Sequence, residues 1–438
     1  MRYHDVRTAG FEMTPSEKRE LYENRYNSEA AIRLGFPING YDAFILLNGE
    51  LVSLVSSIYQ MDKKLSLLIS RIPPDAMDQF VTNSLIDEIQ QSNEVENVNS
   101  TRKEIKDAYT TLASGSRNKR FEGMVRKYAL LRMNEDIPLA TCSDIRNLYN
   151  DFILDEVVRE NPDDAPDGVI FRKNPVHVSG SHGEDIHDGL FPETAIVKAM
   201  DAALTVLNSE TMDDTIRAAL FHYFFGYIHP FYNGNGRMSR FISSYVLSRQ
   251  FSNAACLRTS YVIKQHRSRY YELFRHANDK RNMGELTEFV IGYLLFFREA
   301  VEDTYQILNE KYLLYQKYEK TLKAWLNKRI PGLTTGQVSC FVYLLQLELF
   351  GESDADIQKV ASLMECGRVT ARKILSEAND IVYFSKDGRK QIWHVRLDVE
   401  NTEDVVRANG AKAPVEPAPM GTDPIGAVHG DLLNGKIC

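Results

Sequence analysis

The chain has 438 residues, of which 43% are hydrophobic and 26% are charged, and its formal net charge is −8 at pH 7. This composition is typical of a soluble globular protein and excludes collagen-like, mucin-like and wholly disordered chains. The negative charge argues against bulk attraction to nucleic acid, so DNA binding would need a local basic surface. At roughly 150 residues per domain, the length predicts two or three domains.

The cysteines and the apolar runs indicate the compartment. Five cysteines are an odd number and none forms a C-x-x-C pair, so neither a disulfide framework nor a zinc knuckle is predicted. The longest apolar run, Phe289 to Phe297, has about half the length that a bilayer span requires. The first residues lack the apolar stretch of a secretory signal. We therefore expect a cytoplasmic protein without a membrane anchor.

Helical periodicity dominates the first 160 residues, which we predict to be all helix. Apolar residues recur at three- and four-residue steps from about Gly49 to Ile72, and Pro73-Pro74 ends this helix. A second helix is predicted from about Asp75 to a C-cap at Asn97. Thr101 and Glu104 have capping-box spacing and open a third, and a fourth runs from Ser143 to about Val158.

The middle of the chain changes its pattern twice. Between Glu160 and Pro192 the sequence is rich in Pro, Gly, Asp and His, and the β-like stretches Gly168–Arg172 and Pro175–Val178 predict a short hairpin. Helical periodicity then resumes, and the Phe- and Tyr-rich helix should be central because it is apolar on nearly all sides. The predicted helices are Glu193–Leu207, Asp214–Ile228, Arg237 to about Gln250, Ser260–His276 and about Glu285 to Lys328.

The region from 331 to 400 predicts a winged helix-turn-helix. Three helices, one ending at Phe350 and the others at about 357–364 and 369–378, precede two β-like runs, 381–384 and 391–395. Residues 401–438 contain few large apolar side chains and are predicted to be disordered. The expected division is a helical region over 1–129, a core with a trailing long helix over 130–330, the winged helix and the tail.

The segment 229–240, HPFYNGNGRMSR, carries the chemistry. Pro230 disfavours helical geometry at His229 and so holds the imidazole at a helix end. Gly234 and Gly236 can take positive φ, which lets the backbone approach a ligand, and the following helix start offers free N–H donors to a phosphate. Arg237 and Arg240 lie on one face of that helix. Each feature alone is weak, but their order favours a polyphosphate site beside a base.

This segment resembles the signature of the Fic (Fido) family, H-x-F-x-[D/E]-G-N-G-R-x-x-R. Every specified position matches except Asn233, where the family has Asp or Glu. The resemblance extends into 218–228, 267–271 and 284–289 and covers roughly residues 130–297. It implies a mainly α fold, in which a Fic-type helical core carries a β-hairpin flap, and the winged helix is a common companion of that core.

The resemblance implies transfer of AMP from ATP, with Mg²⁺, to a Ser, Thr or Tyr hydroxyl of a protein. His229 would be the general base. Gly234, Asn235 and Gly236 would form the anion hole for the α-phosphate, and Arg237 and Arg240 would hold the β- and γ-phosphates. The hairpin around Phe171, Arg172 and Val176 would be the flap that aligns a target strand.

Two further positions acquire roles from the resemblance. Residues 92–97, SNEVEN, match the inhibitory motif [S/T]-x-x-x-E-[G/N], so Glu96 would pair with Arg240 and displace the γ-phosphate. Asn233 stands where the family places a metal-binding acid, and its neutral oxygen predicts weak Mg²⁺ binding and slow transfer. The histidines His177, His182 and His187 fit no standard zinc spacing, so a metal site there is rejected.

We interpret the sequence as that of an auto-inhibited protein adenylyltransferase. The alternative is a non-enzymatic winged-helix regulator, or DNA-binding protein, whose core merely binds nucleotide. Expected partners are a protein with an acceptor hydroxyl, which includes the chain itself, and DNA or protein at the basic surface of the winged helix. That surface contains Arg368, Arg372, Lys373, Lys386, Arg389 and Lys390. A homodimer is compatible with the same surface.

Overall fold

A computed structural model describes residues 3–112, 119–133, 135–179, 185–388 and 390–397. The predicted disordered tail over 401–438 lies outside these residues. Within them the α-helices are α1 Val6–Ala9, α2 Pro15–Tyr26, α3 Gly49–Ile69, α4 Pro74–Val95, α5 Arg102–Leu112, α6 Glu122–Met133, α7 Cys142–Tyr149, α8 Asp155–Glu160, α9 Glu193–Leu207, α10 Asp214–Ile228, α11 Asn235–Ser248, α12 Asn253–Cys256, α13 Thr259–Gln265, α14 Arg267–Asn278, α15 Thr287–Arg329, α16 Thr335–Phe350, α17 Ile357–Leu363 and α18 Arg368–Glu377.

The strands form three antiparallel pairs. They are β1 Ala31–Ile38 with β2 Tyr41–Leu46, β3 His177–Ser179 with β4 Asp185–Asp188, and β5 Val382–Asp387 with β6 Lys390–Val395. The described chain is therefore mainly helical with small hairpins, as the sequence predicts. None of the described helices combines the length and apolar composition needed to cross a bilayer.

The first hairpin corrects the expectation of an all-helical amino-terminal region. Strand β1 buries alternate residues, Leu34, Phe36 and Ile38, as a half-buried strand should. Its turn, Asn39-Gly40, has positive φ at both residues, which is the geometry of a tight hairpin turn that Asn-Gly favours. The Asn-Gly pair between apolar runs was thus a hairpin signal that the helical periodicity on either side obscured.

The helices on either side of the double proline have the predicted order. Pro73 caps α4 and Pro74 is its first residue, where a missing N–H costs nothing. After α4 ends, Asn97 takes a left-handed φ of 58°, as a residue just past a helix end often does. The predicted capping box is present, because the Thr101 N–H lies 2.8 Å from Glu104 Oε2.

The central helices α9 and α10 have the predicted bounds, and α10 is buried on nearly all sides against α9, α11 and α15. Two predicted helices are interrupted instead. The helix from Ser143 becomes α7, a π-helical turn over Asn150–Leu154 and α8, and the helix from Ser260 breaks at His266 into α13 and α14. Both interruptions lie beside the site described below.

The predicted hairpin over 168–178 is displaced along the chain. Residues 168–172 form no strand, and the pairing starts at His177, which faces Asp188. Val169, Ile170 and Phe171 have high β-propensity, but their backbone N–H groups donate to the Glu193 carboxylate instead of a strand partner, and Phe171 is buried.

Helices α16 to α18 and the β5–β6 hairpin follow the predicted element order. Helix α16 packs against both α4 and α15. At this junction Glu352 receives a hydrogen bond of 2.8 Å from Arg102, which also pairs with Asp87 of α4, and Lys106 binds the same glutamate. Among the described residues of the predicted basic surface, Arg368, Arg372, Lys373, Lys386 and Lys390 are exposed, and Arg389 lies outside the described residues.

Candidate active site

Helix α10 ends on His229, whose backbone is left-handed with φ 51° and ψ 62°. Its N–H still donates to the carbonyl oxygen of Phe225 at 3.0 Å, so the histidine closes the helix. Its Nδ1 lies 3.3 Å from the carbonyl oxygen of Gly226. Since a carbonyl only accepts, Nδ1 carries the proton and Nε2 keeps a lone pair.

The surroundings of His229 keep the imidazole neutral. Burial lowers its pKa to about 4, and nearby His187 and Arg172 push the pKa in the same direction. The Gly226 carbonyl and the Glu96 carboxylate oppose this effect without reversing it. A neutral imidazole with a free Nε2 can accept a proton at pH 7.

The loop after His229 is held by stacking and by one amide. The Phe231 ring stacks on Tyr149 at a centroid distance of 3.7 Å. The Asn235 side chain accepts from the Phe231 N–H at 3.0 Å and donates to the Phe231 carbonyl at 2.8 Å. The side chain of Asn235 is thus engaged in closing the loop, which leaves the backbone N–H of Asn235 for an anion.

Helix α11 starts with an uncapped amino end. Its N-cap is Gly234, which is left-handed with φ 80° and provides no side chain to cap the first turn. The N–H groups of the first turn of a helix have no intrahelical partner and carry the positive end of the helix dipole. Residues 235–237 therefore present free N–H donors of the kind that bind anions at helix starts.

The two arginines of this turn are both fully buried but differ in their partners. Arg240 donates to Glu96 Oε1 at 2.8 Å, to Ser92 Oγ at 3.1 Å and to the Ser92 carbonyl at 2.8 Å. Arg237 donates from Nη2 to Asn233 Oδ1 at 3.2 Å, while its Nε and Nη1 are buried without a partner. Unpaired buried donors are costly and indicate that an anion completes the site.

Glu96 occupies the space directly above Gly236. A Cβ placed on Gly236 would lie 2.1 Å from Glu96 Oε1, so only glycine admits the carboxylate here. Burial acts to raise the pKa of Glu96, but the charge and hydrogen bond of Arg240 outweigh it and the pKa is lowered. The ionised carboxylate lies at the helix amino end where an anion would bind.

A cavity of about 240 Å³ opens beside these groups. Glu96, His229 and Gly236 line one part of it, and aromatic side chains line another. The aromatic residues are Tyr270, Tyr271 and Phe274. The cavity can therefore hold a planar ring next to the anion site.

The histidines of the displaced hairpin lie at the same cavity. His187 donates through Nε2 to the Tyr227 carbonyl at 2.8 Å, and His177 pairs with Asp188 at 2.7 Å. Within the described residues no group of three or more metal-binding side chains occurs, and His182 lies outside them. The polar composition of this segment predicts an exposed loop, whereas His187 lies at the cavity close enough to His229 to affect its pKa.

The three predicted flap residues lie outside the observed strands. Phe171 is buried against Phe231 with ring centroids 5.6 Å apart. Arg172 is fully buried and donates to the carbonyls of His229 at 2.9 Å, Leu190 at 2.8 Å and Asn174 at 2.6 Å. Both side chains pack against the loop that follows His229, so these two residues do not form the predicted hairpin strand.

Val176 is partly buried, and its carbonyl accepts from the Gly189 N–H at 3.0 Å. This contact continues the β3–β4 pairing by one more hydrogen bond towards the loop. The pairing edge near the cavity is therefore His177–Ser179, and not the stretch around Phe171.

Asn233 is fully engaged by its neighbours. Its Oδ1 accepts from the Gly234 N–H at 2.7 Å and from Arg237, and its Nδ2 donates to Asp164 Oδ2 at 3.1 Å. Both lone pairs of the neutral oxygen are used, so Asn233 in this arrangement does not fit a Mg²⁺ ion, which prefers anionic oxygen. Asp164 is the carboxylate next to Asn233, and no motif in the sequence points to it.

Comparison with known proteins connects this geometry to a family. The Fic/DOC family model matches residues 141–247, which contain His229, the glycine loop and both arginines. This segment belongs to the Fic/DOC family. Helix α4 with Glu96 and the helices after α11 lie outside the matched residues.

The relatives match over part of their length. The protein adenylyltransferase Fic of Drosophila sechellia is 33% identical over 127 residues, which are 29% of this chain and 23% of the relative. That of Drosophila ananassae is 32% identical over the same length and shares. The match thus spans about a quarter of these curated relatives.

Two solved structures are similar at low identity. A Fic family protein from Desulfovibrio desulfuricans has a TM-score of 0.49 and 20% identity, covering 80% of this chain and 97% of that one. Fic-1 from C. elegans has a TM-score of 0.40 and 16% identity, covering 59% of this chain and 72% of that one.

Proposed function

We propose that the protein is an auto-inhibited protein adenylyltransferase, which transfers AMP from ATP to a Ser, Thr or Tyr hydroxyl of a protein. The observation that carries this proposal is a neutral His229 at one cavity with the open amino end of α11. A protein that only binds nucleotide needs the anion site but has no need of a base. The joint presence of both therefore favours the enzyme over the non-enzymatic alternative.

The transfer uses the free Nε2 of His229. The acceptor oxygen attacks the α-phosphorus, its proton passes to Nε2, and the bond between the α-phosphorus and the bridging oxygen to the β-phosphate breaks. Pyrophosphate leaves with that oxygen. The hydrogen bond from Nδ1 to the Gly226 carbonyl fixes the tautomer that this step requires.

The triphosphate is held by backbone and side-chain donors. The N–H groups of residues 235–237 receive the α-phosphate, and the unpaired Nε and Nη1 of Arg237 gain phosphate oxygens. A Mg²⁺ ion bound with the nucleotide would neutralise part of the phosphate charge. The aromatic part of the cavity, at Tyr270 and Tyr271, receives the adenine.

Auto-inhibition follows from the position of Glu96. The carboxylate holds Arg240 and brings a negative charge to the place where the triphosphate binds. Productive ATP binding then requires that Glu96 leaves, which frees Arg240 for the γ-phosphate. The lowered pKa of Glu96 supports this role because the carboxylate is charged at neutral pH.

The target segment would pair with the exposed edge of the β3–β4 hairpin, as an added strand. Strand β3 borders the cavity through His177 and Val178, so an added strand could bring its hydroxyl towards His229. The chain itself is among the targets. Helices α16 to α18 with their hairpin are proposed as a winged helix that docks a protein, a second copy or DNA.

The test is covalent labelling. Purified protein is incubated with each nucleoside triphosphate and Mg²⁺, and intact mass reports the adduct and its donor. We expect an AMP adduct with ATP, weak for the parent protein and raised severalfold for Glu96→Gly, because the substitution removes the negative charge and frees Arg240. Equal labelling of the parent protein and Glu96→Gly would contradict auto-inhibition. If neither protein forms an adduct with any nucleotide, transfer to the chain itself is contradicted.

The matched control is Glu94→Gly. Glu94 lies on the same helix, pairs with Lys264 and does not line the cavity. Its substitution also removes one acid and introduces a glycine at the end of α4, so its labelling should stay close to that of the parent and well below that of Glu96→Gly.

A further inference from the structure

A carboxylate lies where the family motif lacks one. Asp164 ends the short turn Pro162–Asp164, far from the loop in sequence. Its Oδ1 accepts from Asn161 Nδ2 at 2.9 Å, and its Oδ2 accepts from Asn233 Nδ2 at 3.1 Å. Both partners are neutral amides, which orient the carboxylate without neutralising its charge.

The Asn233 amide contacts hydrogen-bond donors, which would attract an anion, on one side and a carboxylate, which would attract a cation, on the other. Its oxygen faces Arg237 and the Gly234 N–H, which belong to the anion site, and its nitrogen faces Asp164. An acid at position 233 would set two carboxylates against each other at this distance, which costs energy unless a cation lies between them. Asn233 and Asp164 therefore form a complementary pair in which the negative charge has moved from the motif to the neighbouring turn.

Divalent cations that accompany nucleotides use one or two carboxylates together with phosphate oxygens. At this corner Asp164 is the anionic oxygen, and its partial exposure leaves it accessible. Arg237, which would hold phosphate oxygens, contacts Asn233, and Asn233 contacts Asp164, so the proposed phosphate site and the carboxylate share one neighbouring side chain.

We infer that Asp164 is the protein ligand for the divalent cation of the bound nucleotide, and that Asn233 orients it. This inference rests on the proposed function for the identity of the nucleotide. It is distinct from the motif, in which the acid precedes the Gly-Asn-Gly run directly. The asparagine at position 233 is then a positioning residue and not a defect.

The test measures cation binding directly. Mn²⁺ replaces Mg²⁺ as a probe that electron paramagnetic resonance detects, and α,β-methylene ATP is the nucleotide, since its α–β bridge cannot be cleaved. The protein is the full chain carrying Glu96→Gly. We expect Asp164→Asn to weaken Mn²⁺ binding by at least about 10–100-fold, the cost of losing an outer-shell partner of a metal, because this substitution removes the ligand itself.

Asp163→Asn is the matched control, because Asp163 is an exposed neighbour whose carboxylate makes no contact with the loop among the described residues. Its Mn²⁺ affinity should equal that of the Glu96→Gly parent. Equal affinities of Asp164→Asn and Asp163→Asn would overturn the inference.

A charge swap guards against a purely structural effect of Asp164→Asn. The double variant Asn233→Asp with Asp164→Asn keeps one amide and one carboxylate at the corner and should restore Mn²⁺ binding. Asn233→Asp alone should bind Mn²⁺ more tightly than the parent, label faster and reach half-maximal rate at less Mg²⁺. A swap variant that folds by circular dichroism but does not regain Mn²⁺ would count against the inference.

The outcomes for the two proposals can be told apart. If no AMP adduct forms but Asp164→Asn still loses Mn²⁺, the transfer proposal fails and the cation ligand stands. If labelling is normal and Asp164→Asn leaves Mn²⁺ binding unchanged, the transfer proposal stands and the cation-ligand inference fails.

Discussion

Two carboxylates flank the start of α11, and their settings differ. Glu96 lies over the first turn, pairs with a fully buried arginine and fills the space next to Gly236. Asp164 lies before the helix, is partly exposed and is held by two neutral amides. Among the described residues, Glu96 has a cationic partner and Asp164 has two neutral ones, so in the proposed scheme the first carboxylate closes the phosphate site and the second binds the cation.

The largest expected effect concerns the base that both flanks serve. In the Glu96→Gly background, His229→Ala should reduce transfer by roughly 10²–10⁴-fold, the usual contribution of a general base. ATP binding should persist because the phosphate donors lie in α11. Labelling and equilibrium ATP binding are measured together, and near-normal labelling of His229→Ala would remove the base from the scheme.

The second prediction compares how much each of the two buried arginines, Arg240 and Arg237, contributes to the stability of the fold. Arg240→Ala leaves Glu96 without its cationic partner and should destabilise the fold by roughly 1–3 kcal/mol, because Arg240 is buried whereas the Glu96 side chain keeps partial access to solvent. Arg237→Ala removes a guanidinium with two unpaired nitrogens and should cost less. Thermal unfolding midpoints give the ranking, and both variants should lose transfer. A lower midpoint for Arg237→Ala than for Arg240→Ala would contradict the assignment of the closed side.

The smallest effect is in the pH profile. With a pKa of about 4, His229 stays neutral as the pH falls from 8 to 5, so kcat/KM of the Glu96→Gly protein should change little across this range. The Glu96 carboxylate raises the pKa of His229, so Glu96→Gly should lower that pKa and make the profile between pH 5 and pH 8 flatter still. An inflection near the ordinary value of about 6.5 would show that His229 is less buried in the working enzyme.

Much of this organisation could be read from the sequence because the responsible signals are local. The bounds of α9 and α10, the double proline before α4 and the capping box before α5 each depend on neighbouring residues. The pairing of Glu96 with Arg240 was expected only from the family motif, and the structure brings the two residues into contact.

What could not be read depends on distant packing. Phe171 and Arg172 have the local pattern of a strand, but their burial against the catalytic loop overrides it. Asp164 and Asn233 are 69 positions apart, so no spacing rule connects them. The sequence shows that Asn233 replaces the acid of the motif, but only the three-dimensional structure shows that Asp164 lies next to it.

The contact between α4 and α16 has a mechanical consequence. Helix α4 has 22 residues and is therefore about 33 Å long, and its carboxyl end leads directly to Glu96. Along its flank, Asp87 is tied through Arg102 to Glu352, just after α16. If binding at the carboxyl-terminal helices displaces α4, Glu96 at its end is displaced as well. A partner that binds the carboxyl-terminal helices more tightly when α4 has moved Glu96 away from Gly236 would then raise the affinity for ATP. By thermodynamic reciprocity, ATP would raise the affinity for that partner by the same factor.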